Sequence, residues 1–379
     1  MRLLMYAHRF APDIGGAETL VRLLAEGLAA SADVTVITNT LTSDSREQAW
    51  PFRVLRAPSI RSMWREVRRA DVVHIAGPAL LPMLLCVLAS RRFVVEHHGY
   101  QAICPNGLLW RHPERVSCTG YFMQGNYAAC ARCVSAGAGR AVGWKSVALT
   151  WVRRALVRCA AEQVAVSSHV ARRLRPIPAR VILHGVRPAA AAPLRDTDRV
   201  RFVYVGRLVE EKSVELLIDA AVMLARESQQ FEVVLVGDGP ERQRLEQHAL
   251  TRRIADRVRF AGECIGDRLE EEFASAGVIV LPSRWEETAG LVILEAAARG
   301  RSAIVADIGG AQEYGTLVGA ILFEAGNVEA LAAAMRALCV EPARISAITT
   351  ATRALPASGG EAARMVQDHL TLYHEVVAR

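Results

Sequence analysis

Gly277-Val-Ile-Val-Leu-Pro-Ser283 leads, after three residues, into Glu287-Thr-Ala-Gly-Leu-Val-Ile-Leu-Glu295. The first run is short, apolar and β-branched, the pattern of a strand buried on both faces. The second begins as a loop and continues as a helix-like run that ends at Gly300. A strand, a short loop and a helix N-terminus make an anion site, because the first helical N–H groups have no partner inside the helix. Two carboxylates, Glu287 and Glu295, flank this site. A ligand with an anionic part and hydroxyl groups suits such a place, and a nucleotide sugar has both.

The same alternation extends outward. In the second half, strands are expected at Phe202–Val205, Glu232–Val236, Val258–Phe260, Val278–Leu281, Ala303–Ala306 and Ala320–Phe323, with helices such as Val214–Arg226 and Pro240–Leu250 between them. The first half gives Arg2–Ala7, Asp33–Thr38, Phe52–Arg56, Asp71–Ile75, Phe93–Glu96, Val164–Ser167 and Val181–Leu183. With 379 residues the chain is too long for one ordinary core. Two doubly wound α/β domains follow, with ligands at the carboxyl ends of the strands and the domains facing each other across a cleft. The expected division is an N-terminal domain over 1–186, a linker over 187–198 that holds Pro188-Ala-Ala-Ala-Ala-Pro193, and a C-terminal domain over 199–358. A last segment, 359–379, carries a helix candidate at Ala362–Ala378 beyond the Ser358–Gly360 break, expected to cross back to the first domain.

A composition of 51% apolar and 22% charged residues is that of a soluble globular protein. The longest apolar stretch, Ile75 to Ala89, is broken by Pro78 and Pro82, too short to span a bilayer, and reads as a loop plus a buried helix. The N-terminus runs straight into a strand pattern without a secretory signal, so cytoplasmic localisation and free thiols are expected. The net charge of +7 is carried almost wholly by arginine, with Lys145 and Lys212 the only lysines. Spread without a long run, these charges argue against a nucleic-acid tail. The basic helices Arg61–Arg69 and Trp151–Arg158 suit either a solvated face or peripheral contact with the inner face of a membrane.

Several short motifs sit where such a fold places chemistry. Gly206-Arg-Leu208 ends a strand, and Lys212 follows four residues later. One Arg fork and one Lys point charge can neutralise a diphosphate. Val236-Gly-Asp-Gly-Pro240 is a second strand-to-helix turn, with Pro opening the helix. Gly15-Gly16-Ala-Glu18 follows the first strand and permits close backbone approach to a ligand. His97-His98-Gly99-Tyr100 ends the strand at Phe93–Glu96, and either histidine suits a site at the sheet edge. Cys104, Cys118, Cys130 and Cys133 lie in a segment, about 104–139, too rich in Gly and Asn to build its own core. Four thiolates with a C-x-x-C pair suit structural zinc; disulfides or idle thiols are the other readings. Asp196-Thr-Asp198 looks like a metal motif but precedes a strand, and is taken as coincidence.

In their order and spacing these residues resemble the family 4 retaining glycosyltransferases of the GT-B fold, in particular a subset with a cysteine-bearing insertion after the active-site histidine. The resemblance runs from Pro12-Asp-Ile-Gly-Gly-Ala-Glu18 through His98, Arg207, Lys212 and the two acids to Asp307-Ile-Gly-Gly310 and Glu313. It implies that Arg207 and Lys212 bind the donor diphosphate and that Gly16 approaches it. It further implies that Glu295 holds the ribose hydroxyls, that Glu287 contacts the donor sugar, and that Thr288, Ala289, Gly290, Leu291 and Val292 offer backbone N–H groups. His98, chosen over His97 for the pattern His-x-Tyr-x-x-x-Cys-Pro, is placed at the reacting sugar. Thr288-Ala289-Gly290 departs from the family's usual aromatic-containing turn, and His184-Gly-Val186 from its Asn-Gly-Val.

The reaction this implies is transfer of a sugar from a nucleotide-diphosphate sugar, UDP in preference to GDP, to a hydroxyl of a saccharide, lipid-linked or small-molecule acceptor. Anomeric configuration is retained and no catalytic metal is required. Two other readings remain: a nucleotide-sugar epimerase of the same fold, and a non-enzymatic module binding nucleotide sugars or nucleic acid.

Overall fold

A computed structural model describes residues 1–13, 15–42, 49–136, 139–189, 199–227, 229–341, 343–345 and 362–379. Most of the expected linker, Asp196-Thr-Asp198 and the Ser358–Gly360 break lie outside the described residues. The chain divides into two compact units. One comprises Met1–Glu114, Cys118–Gly185 and Gly359–Arg379; the other comprises Arg115–Ser117 and Val186–Ser358.

The first unit is built on strands β1 (Arg2–Ala7), β2 (Asp33–Thr38), β3 (Arg53–Arg56), β4 (Val72–Ala76), β5 (Phe93–His97), the short β6 (Trp110–Arg111), β8 (Glu162–Ala165) and β9 (Arg180–Val181), while the short β7 (Val116–Ser117) falls in the second. Its sheet runs β3-β2-β1-β4-β5-β8-β9, and the strand pairs described are parallel. The order reverses between β1 and β4, so the crevice of this sheet opens at their carboxyl ends. Around it lie α1 (Gly16–Leu28), α2 (Ile60–Arg69), α3 (Leu80–Leu88), α4 (Tyr127–Ser135), α5 (Arg140–Val157) and α6 (Ser168–Leu174). Side-chain oxygens of Ser59, Asn126 and Ser167 accept from backbone N–H groups in the first turns of α2, α4 and α6, which fixes where those helices begin.

One expectation needs correction. The apolar stretch after β4 does form a loop and a helix, but α3 is only half buried. Pro82, Met83, Leu85 and Cys86 face the core, while Leu81, Leu84, Val87 and Leu88 are exposed. Uniform hydrophobicity hid this, because without polar residues there is no period to mark an outer face.

The second unit holds β10 (Val200–Val205), β11 (Phe231–Val236), β12 (Val258–Gly262), β13 (Val278–Leu281), β14 (Ser302–Ala306) and β15 (Ile321–Phe323). Its parallel sheet runs β12-β11-β10-β13-β14-β15, with the switch point between β10 and β13. Its helices are α7 (Glu215–Arg226), α8 (Arg242–Thr251), α9 (Asp267–Ser275), α10 (Leu291–Ala298), α11 (Gly309–Leu317) and α12 (Val328–Val340). All four residues of β13 are buried, as a Val-Ile-Val-Leu run covered on both faces requires. The ends of β10 and β11 touch directly, Gly206 N–H donating to the Val236 carbonyl at 3.0 Å. Gly237, at φ +131°, makes that possible, since a Cβ there would stand 2.0 Å from the Gly206 carbonyl oxygen.

The last helix, α13 (Ala362–Ala378), belongs to the first unit. Its Met365, His369, Leu372, Tyr373 and Val376 are buried. It packs on α1 so closely that a Cβ at Gly27 would meet Val366 Cγ2 at 2.5 Å. The fold class expected from the sequence, two doubly wound α/β sheets, is the one observed.

Candidate active site

In the second unit, the loops after β10 and β13 converge at the switch point. After β10 come Arg207 and a short 3-10 turn, Glu210–Lys212, closed by Ser213 in the left-handed region at φ +51°. A serine rarely takes this conformation. Here Arg284 Nε donates to Ser213 Oγ at 2.9 Å and Arg284 Nη2 to Glu215 Oε1 at 2.8 Å, pinning the turn to the loop after β13.

The turn delivers Lys212 to Glu287. Lys212 Nζ donates to both carboxylate oxygens, at 2.6 and 2.7 Å, and Ser283 Oγ donates to Oε1 at 2.5 Å. The Trp285 ring lies 5.3 Å from Nζ, within cation–π range. With side chains only 16% and 8% exposed, this pair is largely shielded from water. Tyr204, at the end of β10, donates to the Arg207 carbonyl at 2.8 Å, and burial first, then the Glu287 charge, push its phenol well above the ordinary range. The Arg207 side chain is 71% exposed and only 4.0 Å from Glu211, so it is available to a ligand.

The acid loop is clamped from the next strand. Gly309, φ +66°, opens α11 so near Glu286 and Glu287 that a Cβ would stand 2.7 Å from the Glu287 nitrogen. Gly310 N–H donates to the Glu287 carbonyl at 2.6 Å. Thr288 and Ala289 are buried, Gly290 caps α10, and Leu291 and Val292 form its first turn. Glu295 sits one turn further along α10. Burial raises its carboxyl pKa, against the pull of Arg299, whose guanidinium also binds Glu270.

The first unit places Gly16 and His98 on one sheet edge, at the start of α1 after β1 and just after β5. The two histidines differ sharply. His97 is fully buried, with its Nε2 2.9 Å from Gln163 Oε1, and burial pushes its imidazole down to about 4. His98 is 12% exposed, with Nε2 3.0 Å from Glu96 Oε2.

Glu96 is a hub that sequence reasoning missed. Its buried carboxylate also lies 3.3 Å from His74 Nε2, 3.5 Å from His369 Nε2 on α13 and 3.7 Å from His184 Nε2. His98 and His184 stack with centroids 5.3 Å apart. Burial alone would raise the Glu96 pKa, but His98 and the N–H groups of His184, His369 and His74 hold it well below the carboxylate range. The signal in the sequence was a Glu inside a Phe-Val-Val-Glu-His strand, where an unpaired charge is not tolerated.

Cys104, Cys118, Cys130 and Cys133 all line one cavity of about 330 Å³ in the first unit. Among the described residues, the groups with ligand atoms within 4.8 Å of one another are His74–Glu96–His369 and Glu96–His98–His184, so no three of these sulfurs are that close.

Two protein-family models match adjoining halves of the chain: Glycosyltransferase Family 4 over residues 14–190 and Glycosyl transferases group 1 over residues 188–353. Among curated proteins, the chain is 38% identical over 113 residues to alpha-D-kanosaminyltransferase of Streptomyces kanamyceticus, covering 30% of this chain and 29% of that one. It is 35% identical over 136 residues to a GDP-mannose-dependent alpha-(1-6)-phosphatidylinositol monomannoside mannosyltransferase of Mycobacterium tuberculosis, covering 33% and 35%. The chain thus spans about a third of these relatives' lengths. Among solved structures, Anabaena Alr3699/HepE in complex with UDP superposes with a TM-score of 0.73 at 17% identity, over 99% of this chain and 100% of that one, a likeness of fold. Matched by these models in both halves, the chain belongs to the group 1, family 4 glycosyltransferases of the GT-B fold.

Proposed function

We propose that this chain is a retaining glycosyltransferase that moves a sugar from a nucleoside-diphosphate sugar, UDP-linked in preference to GDP-linked, to a hydroxyl acceptor. The observation that carries the reading is the Lys212–Glu287–Ser283 constellation at the switch point of the second sheet, beside the N-terminus of α10. Without donor, Lys212 neutralises Glu287. A diphosphate entering the crevice competes for that ammonium, together with the exposed Arg207 guanidinium and the α10 N–H groups from Gly290 onward. Glu287 is then released to accept hydrogen bonds from sugar hydroxyls. Glu295, on the same helix, takes the ribose hydroxyls. The leaving nucleoside diphosphate gains negative charge as the glycosidic bond breaks, and fixed cations and helix N–H groups stabilise that charge without reorganisation. The required cationic charge is thus supplied by side chains, and no catalytic metal is invoked. Retention follows from a front-face route in which a leaving phosphate oxygen accepts the acceptor's proton.

On the first unit, His98 serves the reacting sugar and Gly16 the approach to the diphosphate. The buried bond of His97 to Gln163 supports a structural role for that residue. Alpha-D-kanosaminyltransferase and the GDP-mannose-dependent mannosyltransferase, by name, both transfer sugars, and HepE holds UDP. These relatives support the reaction class. Peripheral membrane contact is also proposed, through the exposed apolar residues of α3 and the basic face of α2.

The test is a binding and donor-hydrolysis screen of the full chain across UDP- and GDP-sugars, with Glu287→Ala and Lys212→Met beside the wild type. Lys212→Met is expected to weaken nucleotide-sugar binding about tenfold to a hundredfold, the range for a charge-assisted hydrogen bond of about 1.5–3 kcal/mol. Glu287→Ala is expected to cut turnover by about a hundredfold or more while UDP itself still binds. Near-normal turnover in Glu287→Ala would remove it from the site.

A further inference from the structure

We propose that Cys104, Cys118, Cys130 and Cys133 bind one zinc ion as four thiolates, and that this ion is the main fastener of the segment between β5 and α5. The cavity of about 330 Å³ in that segment is lined by all four sulfurs, contributed by three separate pieces of chain. Cys104 follows the loop from His98. Cys118 directly follows β7 in the chain. Cys130 and Cys133 lie at i and i+3 on α4, where that spacing puts both on one face.

Two of the sulfurs receive N–H donors that favour the anionic form. The His112 N–H lies 3.4 Å from Cys133 Sγ, and Asn106 Nδ2 lies 3.5 Å from it. The Gly120 N–H lies 3.4 Å from Cys118 Sγ. A cradle of N–H groups around sulfur gives little to a neutral thiol and much to a thiolate. Four thiolates lining one cavity repel one another, and a cation among them removes that repulsion. Arg132 also lines the cavity and offsets part of the charge of a tetrathiolate site, while Arg111, in the same lining, is paired with Glu114 at 3.1 Å.

No three of the four sulfurs lie within 4.8 Å of one another. As thiols, two of them are turned toward oxygen: Cys104 Sγ donates to Asn106 Oδ1 at 2.9 Å and Cys133 Sγ to the Trp110 carbonyl at 3.6 Å. Deprotonation cancels both donations and frees the sulfurs to turn inward to the tetrahedral Zn–S distance of about 2.3 Å. Each zinc bound displaces four protons, one per cysteine, which leave to solvent. The fastener would add to an apolar cluster of Phe122, Cys130, Ala131 and Val147, with Tyr121 and Tyr127 packed against it. Cys86, Cys159, Cys264 and Cys339 lie outside this cavity.

Full-length protein purified reduced, with and without added zinc, and then desalted is measured for metal by mass spectrometry. The expected result is about one zinc per chain, lost in Cys118→Ser and Cys130→Ser and kept in Cys86→Ser. Where a serine variant fails to fold, the wild type is stripped with a chelator under reductant and refilled with cobalt. Strong visible d–d bands and thiolate-to-cobalt charge transfer are then expected, together with a chelator-dependent gain in protease cleavage within 104–139. Wild-type protein with less than about a tenth of an equivalent of zinc after exposure to it overturns the proposal. So does iron with acid-labile sulfide in the same place, or equal loss of zinc in Cys86→Ser.

Discussion

Lys212 is one of two lysines in a chain whose other basic residues are arginines, and its head group contacts both oxygens of Glu287. A point charge on a flexible stem suits a group that must be shared between an acid and an incoming phosphate. A guanidinium, locked into a planar fork with the carboxylate, would be harder to divert. Glu96 shows the opposite use of a buried acid. It is surrounded by four histidines, and its charge is settled within the fold. The pH dependence of this cluster has a defined sign. Burial first, and neighbouring His98 as well, push His97 and His184 down to about 4 in the folded protein, and burial also lowers His74. Unfolded imidazoles take up protons near pH 6.5, so between about 6.5 and 4 the unfolded chain binds more protons and stability falls as pH falls. The depressed Glu96 adds to the same trend below the usual carboxylate range, because its contribution is lost only as pH drops through its folded pKa. By pH 5 the loss from His97 and His184 is expected to be about 2 kcal/mol each. Denaturant titrations at pH 7.5 and 5.0 check this, and equal midpoints would show that these imidazoles are not buried in neutral form.

At the scale of elements, α10 and α11 act together. The eight residues of α10 carry the N-terminus that faces the switch point, while α11 starts close enough to hold the acid loop by its backbone. The Gly309-Gly310 pair is what allows that approach. In the first unit, α2 and α3 form a different kind of surface. The exposed side chains of Arg61, Arg65, Arg68 and Arg69 lie on α2, and Leu81, Leu84 and Leu88 are exposed on the adjacent α3. Basic residues beside exposed leucines suit the surface of an anionic bilayer. No helix among the described residues is long and apolar enough to cross one. Sedimentation with vesicles should carry down the protein when they contain anionic lipid and release it with salt. The triple variant Leu81→Ser, Leu84→Ser, Leu88→Ser should lose most of that binding. Equal sedimentation with purely zwitterionic vesicles would refute the electrostatic part.

At the scale of the whole molecule, the chain begins and ends in the same unit. Helix α13 supplies His369 to the Glu96 hub and Tyr373 to His74, whose Nδ1 lies 2.9 Å from the Tyr373 hydroxyl. Fully buried, this bond joins residues 299 apart in sequence. Tyr373→Phe should therefore destabilise the first unit by about 1–2 kcal/mol, the cost of leaving a buried imidazole nitrogen without its partner. Nucleotide affinity, which the proposed function assigns to the second unit, should not change. Calorimetry with and without UDP separates the two effects, and a matching loss of UDP affinity would contradict the assignment of donor binding to the second unit.

The sequence by itself determined the alternation of strands and helices in each half, because buried parallel strands and amphipathic helices leave local periodic patterns. It also determined which loops carry the candidate chemistry, because Gly206-Arg-Leu208, Lys212 and the Glu287–Glu295 stretch follow strand ends. The structure moved most strand and helix ends by only one or two residues, as in Glu162–Ala165 for the expected Val164–Ser167. Tertiary structure alone decided which histidine is buried, that Lys212 is paired with Glu287, that α3 shows apolar residues to solvent, and that four histidines share Glu96. Each of these depends on contacts between residues far apart in the chain. Local pattern records which face of an element is apolar; it does not record what that face, or a charge placed on it, will meet.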